Sequence, residues 1–150
     1  MISNGFGDVR DTDIVVGVDG SPSAKAALRW AAAQARLAGA RLRVVAVWEI
    51  PVYAAWMPMV PYEDLGLAAG KMLAESVGEV LGLEVCVPEL LETVLPGHPA
   101  QVLVDESAHA AVLVVGSRGH GGFAGTLLGS VSQQCTQRAH CPVVVVRGKS

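Results

Sequence analysis

Charge, aromatic rings and long apolar spans are all scarce in this chain, and each shortage excludes something. Only 17% of the 150 residues are charged, and the formal net charge is −3. A sequence-independent nucleic-acid binder needs a basic face, and no cluster of Lys or Arg supplies one. No apolar run approaches the ~20 residues of a membrane helix, so no membrane span is expected. Cysteine is limited to Cys86, Cys135 and Cys141, an odd set without CxxC or metal-ligand spacing. That pattern suits reduced, packed thiols and a cytoplasmic compartment. The polar, acidic opening MISNGFGDVRDT does not fit a secretory leader.

What is abundant is Ala, Val, Leu and Gly. Hydrophobic residues make up 51% of the chain, while aromatics are only 5%. A chain this apolar can offset the entropy of ordering, which excludes disorder as its main state. Its length suits one domain over residues 1–150, with a core at about 11–147. Val-rich runs alternate with Ala- and Leu-rich segments, the signature of a layered α/β domain.

Five runs read as strands: Asp13–Asp19, Leu42–Trp48, a weak one within Glu84–Leu95, Val112–Gly116 and Pro142–Arg147. Their continuous apolar character suits parallel strands covered on both faces. Pro88 interrupts the third, which places it at an edge. Helical patterns fill 23–38, 62–81, 99–109 and 131–139. Ser21, Pro22 and Gly39 are suited to capping and bounding the first of these. His98 and Pro99 open the third. The alternation predicts an open, doubly wound, Rossmann-like five-stranded parallel sheet with right-handed crossovers. Residues 49–61 (EIPVYAAWMPMVP) form a long apolar loop suited to a lid or a contact, with Trp56 at its centre.

Chemistry concentrates in Val115–Ser132, VGSRGHGGFAGTLLGSVS. A strand delivers this segment to the carboxyl edge of the sheet, and a helix opens near Ser130. Glycines let backbone approach a ligand without a Cβ in the way. Helix N-terminal amides and the dipole then favour an anion, most often phosphate. Ser130 and Ser132 offer hydroxyl donors, and Arg118 and His120 offer charge at the rim. A Walker loop is excluded, because neither Gly70-Lys71 nor Gly148-Lys149 has the required glycine spacing and following helix. A dinucleotide fingerprint is excluded too, because GVDGSPS follows the first strand. If the first and fourth strands are neighbours, Asp19 faces the same crevice as Gly116–Ser130. Adenosine would then lie toward Asp19 and Val47, with phosphates against Gly119, Gly129 and Ser130.

The spacing Gly116-x2-Gly119-x9-Gly129-Ser130 resembles the nucleotide-binding signature of the universal stress protein family. The opening DIVVGVDGSPSAKAALRWA, the GHPA at 97–100 and the closing CPVVVVR are similar to that family as well. The resemblance implies a strand order of 3-2-1-4-5 and an ATP-binding, cytoplasmic, homodimeric stress-response protein. Any Mg²⁺ would arrive with the triphosphate. It implies that Asp19 and Gly116 contact ribose, that Val47 and Val115 contact adenine, and that Gly17 lines the base. Gly119, Gly129, Ser130 and Val131 would hold the phosphates. It also implies a dimer through Pro142–Arg147, whose edge would otherwise be exposed.

Plainer roles stand beside these. Ser130 with Gln133 forms a capping box, and Asp19 is placed to hold the turn to Ser21. His109 and His140 read as solvent-facing. No residue set resembles an efficient catalytic apparatus, so a nucleotide-gated regulator with slow or absent hydrolysis is expected. A slow ATPase or phosphotransferase, a cyclic-AMP binder, and an interaction protein with an empty loop remain open from sequence. Gly119→Val should abolish ATP binding in calorimetry while circular dichroism shows the fold intact. Normal ATP binding by this variant would remove the loop assignment.

Overall fold

The computed structural model describes residues 11–49, 62–82, 87–118 and 128–148. The expectations for Cys86, Gly119, His120 and Trp56 lie outside them. Nine elements alternate in chain order: β1 (Ile14–Gly17), α1 (Pro22–Ala38), β2 (Arg41–Trp48), α2 (Tyr62–Leu81), β3 (Glu89–Pro96), α3 (Pro99–Ser107), β4 (Val112–Gly116), α4 (Ser130–Arg138) and β5 (Val143–Val146). The strands form one all-parallel sheet in the order β3-β2-β1-β4-β5. This is the doubly wound arrangement and strand order expected.

Local chemistry explains the elements. β1 is IVVG, whose β-branched side chains fit a pleated, packed surface. Ser21 caps α1 by accepting the Ala24 N–H at 3.3 Å, and Pro22 sits in the first turn. Gly39 ends the helix at φ +64°, a left-handed conformation that costs glycine little. The buried stripe of α1 is Ala24, Ala27, Leu28, Ala31 and Ala35, small enough to bring the helix close to the sheet. The third strand differs from expectation. It begins after Pro88 rather than being interrupted by it, so every residue from Glu89 to Pro96 pairs with β2. Its edge position is as expected, since proline is tolerated at the start of an edge strand.

Alternating residues feed two cores. Ile14, Val16, Leu42 and Val44 point to α1 and α2, where Leu28 and Leu73 meet them. Val15, Val45, Leu113 and Val115 point to α3 and α4, against Leu103 and Cys135. Burying each Val or Leu side chain contributes roughly 1.5–3 kcal/mol.

The foot of the second face is ionic, a feature that none of the expectations from sequence included. Asp13 is fully buried and receives Arg41 Nη2 at 2.6 Å and Nε at 3.2 Å. Arg43 lies two residues along β2 on the same face. Its Nη1 is 3.9 Å from Asp13, and its Nη2 pairs with Glu106 of α3. Burial pulls the Arg43 pKa down, and Asp13 opposes that pull. Asp13→Asn leaves Arg41 with Glu89 at 3.6 Å and Arg43 with Glu106 but removes the fully buried anion between them, so it should cost about 1–3 kcal/mol in urea unfolding. A loss near zero would mean the cluster is dispensable.

A second expectation concerns pH. Burial pushes the Cys135 thiol from 9.0 to about 11, so the folded state keeps it neutral. Once unfolded, the thiol ionises above pH 9 and draws the equilibrium toward the unfolded chain. Stability should therefore fall between pH 9 and 11, and Cys135→Ala should flatten that fall. An identical slope in both proteins would contradict the assignment.

Candidate functional site

At the carboxyl ends of β1 and β4 the chain departs in opposite directions, β1 leading toward β2 and β4 toward β5. Such a switch point leaves a crevice above the sheet. Here it opens into a cavity of about 500 Å³, a size that suits a small ligand. β1 and its extension contribute Gly17, Val18 and Asp19, and β2 contributes Val45, Val47 and Glu49. β4 adds Val115 and Gly116, followed by Arg118. Pro99 and Leu103 of α3 form one wall, and Gly129, Ser130 and Val131 close the end at α4. All the described residues singled out from sequence for this site therefore converge on one cavity, and Gly119 and His120 lie outside the described residues.

Several of their local roles are more specific than the sequence suggested. Asp19 Oδ1 accepts the Ser21 N–H at 2.9 Å, so it holds the β1–α1 turn while lining the cavity. Gly116 is needed by the protein's own packing. A Cβ there would lie 2.6 Å from the Ser23 carbonyl carbon and 2.7 Å from the Ala24 nitrogen. Gly17 likewise makes room for Leu103, whose Cδ1 would be 2.7 Å from a Cβ. The space kept open at these two glycines is filled by α1 and α3.

The start of α4 corrects two expectations. Gly129, extended at φ −76° and ψ 170°, is the N-cap, and Ser130 is the first helical residue. The Ser130–Gln133 capping box is therefore not formed; the Gln133 N–H bonds the Gly129 carbonyl at 3.0 Å instead. Ser132 is buried, and its Oγ lies 3.0 Å from the carbonyls of both Ser117 and Gly129. Its hydroxyl is engaged by backbone and does not serve an anion. The amides of Ser130, Val131 and Ser132 precede the first intrahelical bond, and among the described residues no side chain caps them.

The strand-side entry to the glycine segment is fixed by a residue that sequence reasoning passed over. Ser23 Oγ donates to the Arg118 carbonyl and accepts the Arg118 N–H at 3.2 Å. Gly129 N–H bonds the Ser117 carbonyl at 2.6 Å, drawing the two ends of the segment together. Arg118 itself is exposed at the mouth. Chemically, the cavity has apolar walls, acids at the β1 and β2 ends, and the Arg118 cation with helix amides at the β4 and α4 end. Among the described residues no group of His, Cys, Asp and Glu could hold a metal ion. No described helix is long and apolar enough to cross a membrane.

Comparison with known proteins agrees with this architecture. The model of the universal stress protein family matches residues 12–147. Universal stress protein Rv2623 of Mycobacterium tuberculosis is 36% identical over 143 residues, covering 89% of this chain and 46% of that protein. The chain spans about half the length of the curated relatives it matches. A universal stress protein solved in complex with cAMP superposes with a TM-score of 0.70 at 25% identity, over 92% of this chain and 98% of that one. One from Archaeoglobus fulgidus, in complex with dAMP, gives 0.64 at 27% identity, over 90% and 97%. Sequence match and strand order thus lead to the same place: the chain belongs to the universal stress protein family.

Proposed function

We propose that the cavity binds an adenine nucleotide, ATP in particular, and that occupancy gates a stress-response interaction rather than driving rapid turnover. One observation carries this reading: a cavity at the switch point with apolar walls at one end and uncapped helix amides at the other. A purine needs a slab-like apolar surface, which Val47, Val115 and Leu103 offer. Ribose hydroxyls need acceptors, and Asp19 stands between β2 and β4. Phosphate needs N–H donors and a positive dipole end, which Gly129, Ser130 and Val131 provide. Mg²⁺ accompanies the triphosphate as part of the ligand. The complexes of family members with cAMP and dAMP support the adenine class.

Slow chemistry follows from the same residues. Phosphoryl transfer needs positioned water and several charge-stabilising groups at the γ-phosphate. Among the described lining residues Arg118 is the one cation. In this reading the protein is cytoplasmic and dimerises through β5, whose outer edge has no strand partner among the described residues. Backbone groups at such an edge are satisfied by pairing with a second copy.

Titration calorimetry with ATP should show one site per chain. Ser130→Asp places a carboxylate at the helix start, where it stabilises the helix by about 0.3–1 kcal/mol. The same charge repels phosphate, so ATP affinity should fall at least about tenfold while adenosine affinity stays level. Unchanged ATP affinity in this variant would overturn the phosphate assignment. Cyclic AMP competing at or below the ATP concentration would make the gating nucleotide cyclic.

A further inference from the structure

We propose that Glu49 reads the base edge of the nucleotide and gives the site its preference for a 6-aminopurine over a 6-oxopurine. The inference rests on the adenine-nucleotide reading and extends it to a residue outside both the glycine signature and the β1 motif. Glu49 follows β2 directly, lines the cavity and is exposed at its mouth. Residues on a strand alternate faces. Val45, Val47 and Glu49 therefore share the cavity side of β2, running from fully buried through half-buried to exposed. A flat ring against Val47 has its outer edge toward the next residue on that side, which is Glu49.

Strand order sets the position of this carboxylate along the ligand. β2, β1 and β4 are consecutive in the sheet, and their ends carry Glu49, Asp19 and Arg118 in that order. Charge therefore runs acid, acid, cation across two inter-strand steps, about 10 Å in all. The anion end is fixed at β4 and α4 by the uncapped amides. A ligand whose phosphate sits there places its sugar over β1, where Asp19 is tied into the turn by the Ser21 N–H. Its base then reaches β2 and Glu49. An ionised carboxylate only accepts hydrogen bonds. It pairs with the exocyclic amine of adenine and repels the carbonyl oxygen that hypoxanthine carries at the same ring position.

The test is calorimetric titration of AMP and IMP into the wild type, Glu49→Gln and the control Glu92→Gln, an exposed β3 residue that does not line the cavity. A site built on a charged acceptor should favour AMP at least about tenfold. The Glu49→Gln amide can also donate, so the preference should shrink to about threefold or less with an unchanged melting temperature. Glu92→Gln should leave it intact. An unchanged preference in Glu49→Gln, or a wild type that binds both nucleotides equally, would overturn the role of Glu49 while the nucleotide site stands. Failure of the wild type to bind either nucleotide would instead overturn the site reading itself, and Glu49 with it.

Discussion

The close approach of the first turn of α1 to the ends of β4 and β5 is the constraint on which the site depends. Gly116 and Gly148 both face Ser23, at distances that admit no side chain on either glycine. That proximity lets Ser23 exchange two hydrogen bonds with the Arg118 backbone, 95 residues away in sequence. Residue 118 thereby leaves β4 at a fixed place over the crevice. Ser132 and the Gly129 N–H complete the arrangement by holding Ser117 from the α4 side. The glycine segment thus starts and ends on rigid elements, and the amides of α4 are presented to a cavity whose floor is the sheet.

One face of that sheet divides its labour along the strand direction. The side covered by α3 and α4 begins with buried ions, Asp13, Arg41 and Arg43 with Glu106. It continues through a dry band of Val15, Val45, Leu113 and Cys135 and ends in the cavity. α3 runs the whole distance, with Pro99 and Leu103 at the cavity and Glu106 at the ionic foot. The ions at one end and the packing of Leu103 against Gly17 nearer the other set how α3 stands over the crevice. The buried ions thus lie at the amino ends of the strands and the cavity at their carboxyl ends, where doubly wound folds place their ligand crevice.

Much of this was legible from sequence because the signals are local. Val-rich runs, Ala stripes and the Ser21, Pro22 and Gly39 boundaries define α1 and its neighbouring strands without reference to the rest of the chain. The glycine spacing pointed to the sheet edge where the cavity opens, and every described residue it singled out lines that cavity. Misreadings arose where tertiary contacts decide. Pro88 looked like an interruption because a single sequence does not show that pairing with β2 starts at Glu89. Ser130 looked like a cap, yet the extended Gly129 occupies that position and leaves the serine inside the helix. Ser132 looked like a phosphate donor, but its hydroxyl is consumed by two carbonyls. The ionic foot did leave a trace, since Arg41 and Arg43 share one face of an otherwise apolar strand. That face becomes meaningful only when Asp13 and Glu106 are brought beside it.

The central claim is that backbone amides at the start of α4 grip the anionic end of a nucleotide lying across β2, β1 and β4. Amide chemical shifts in an isotope-labelled sample, followed during addition of ATP, test it most directly. The account predicts large changes at Ser130 and Val131, accompanying changes at Asp19, Val47 and Val115, and silence at Asp13, Arg41 and Arg43. Shifts gathered along β5 or α2 with Ser130 and Val131 unmoved, or no shifts at saturating ATP, would contradict it.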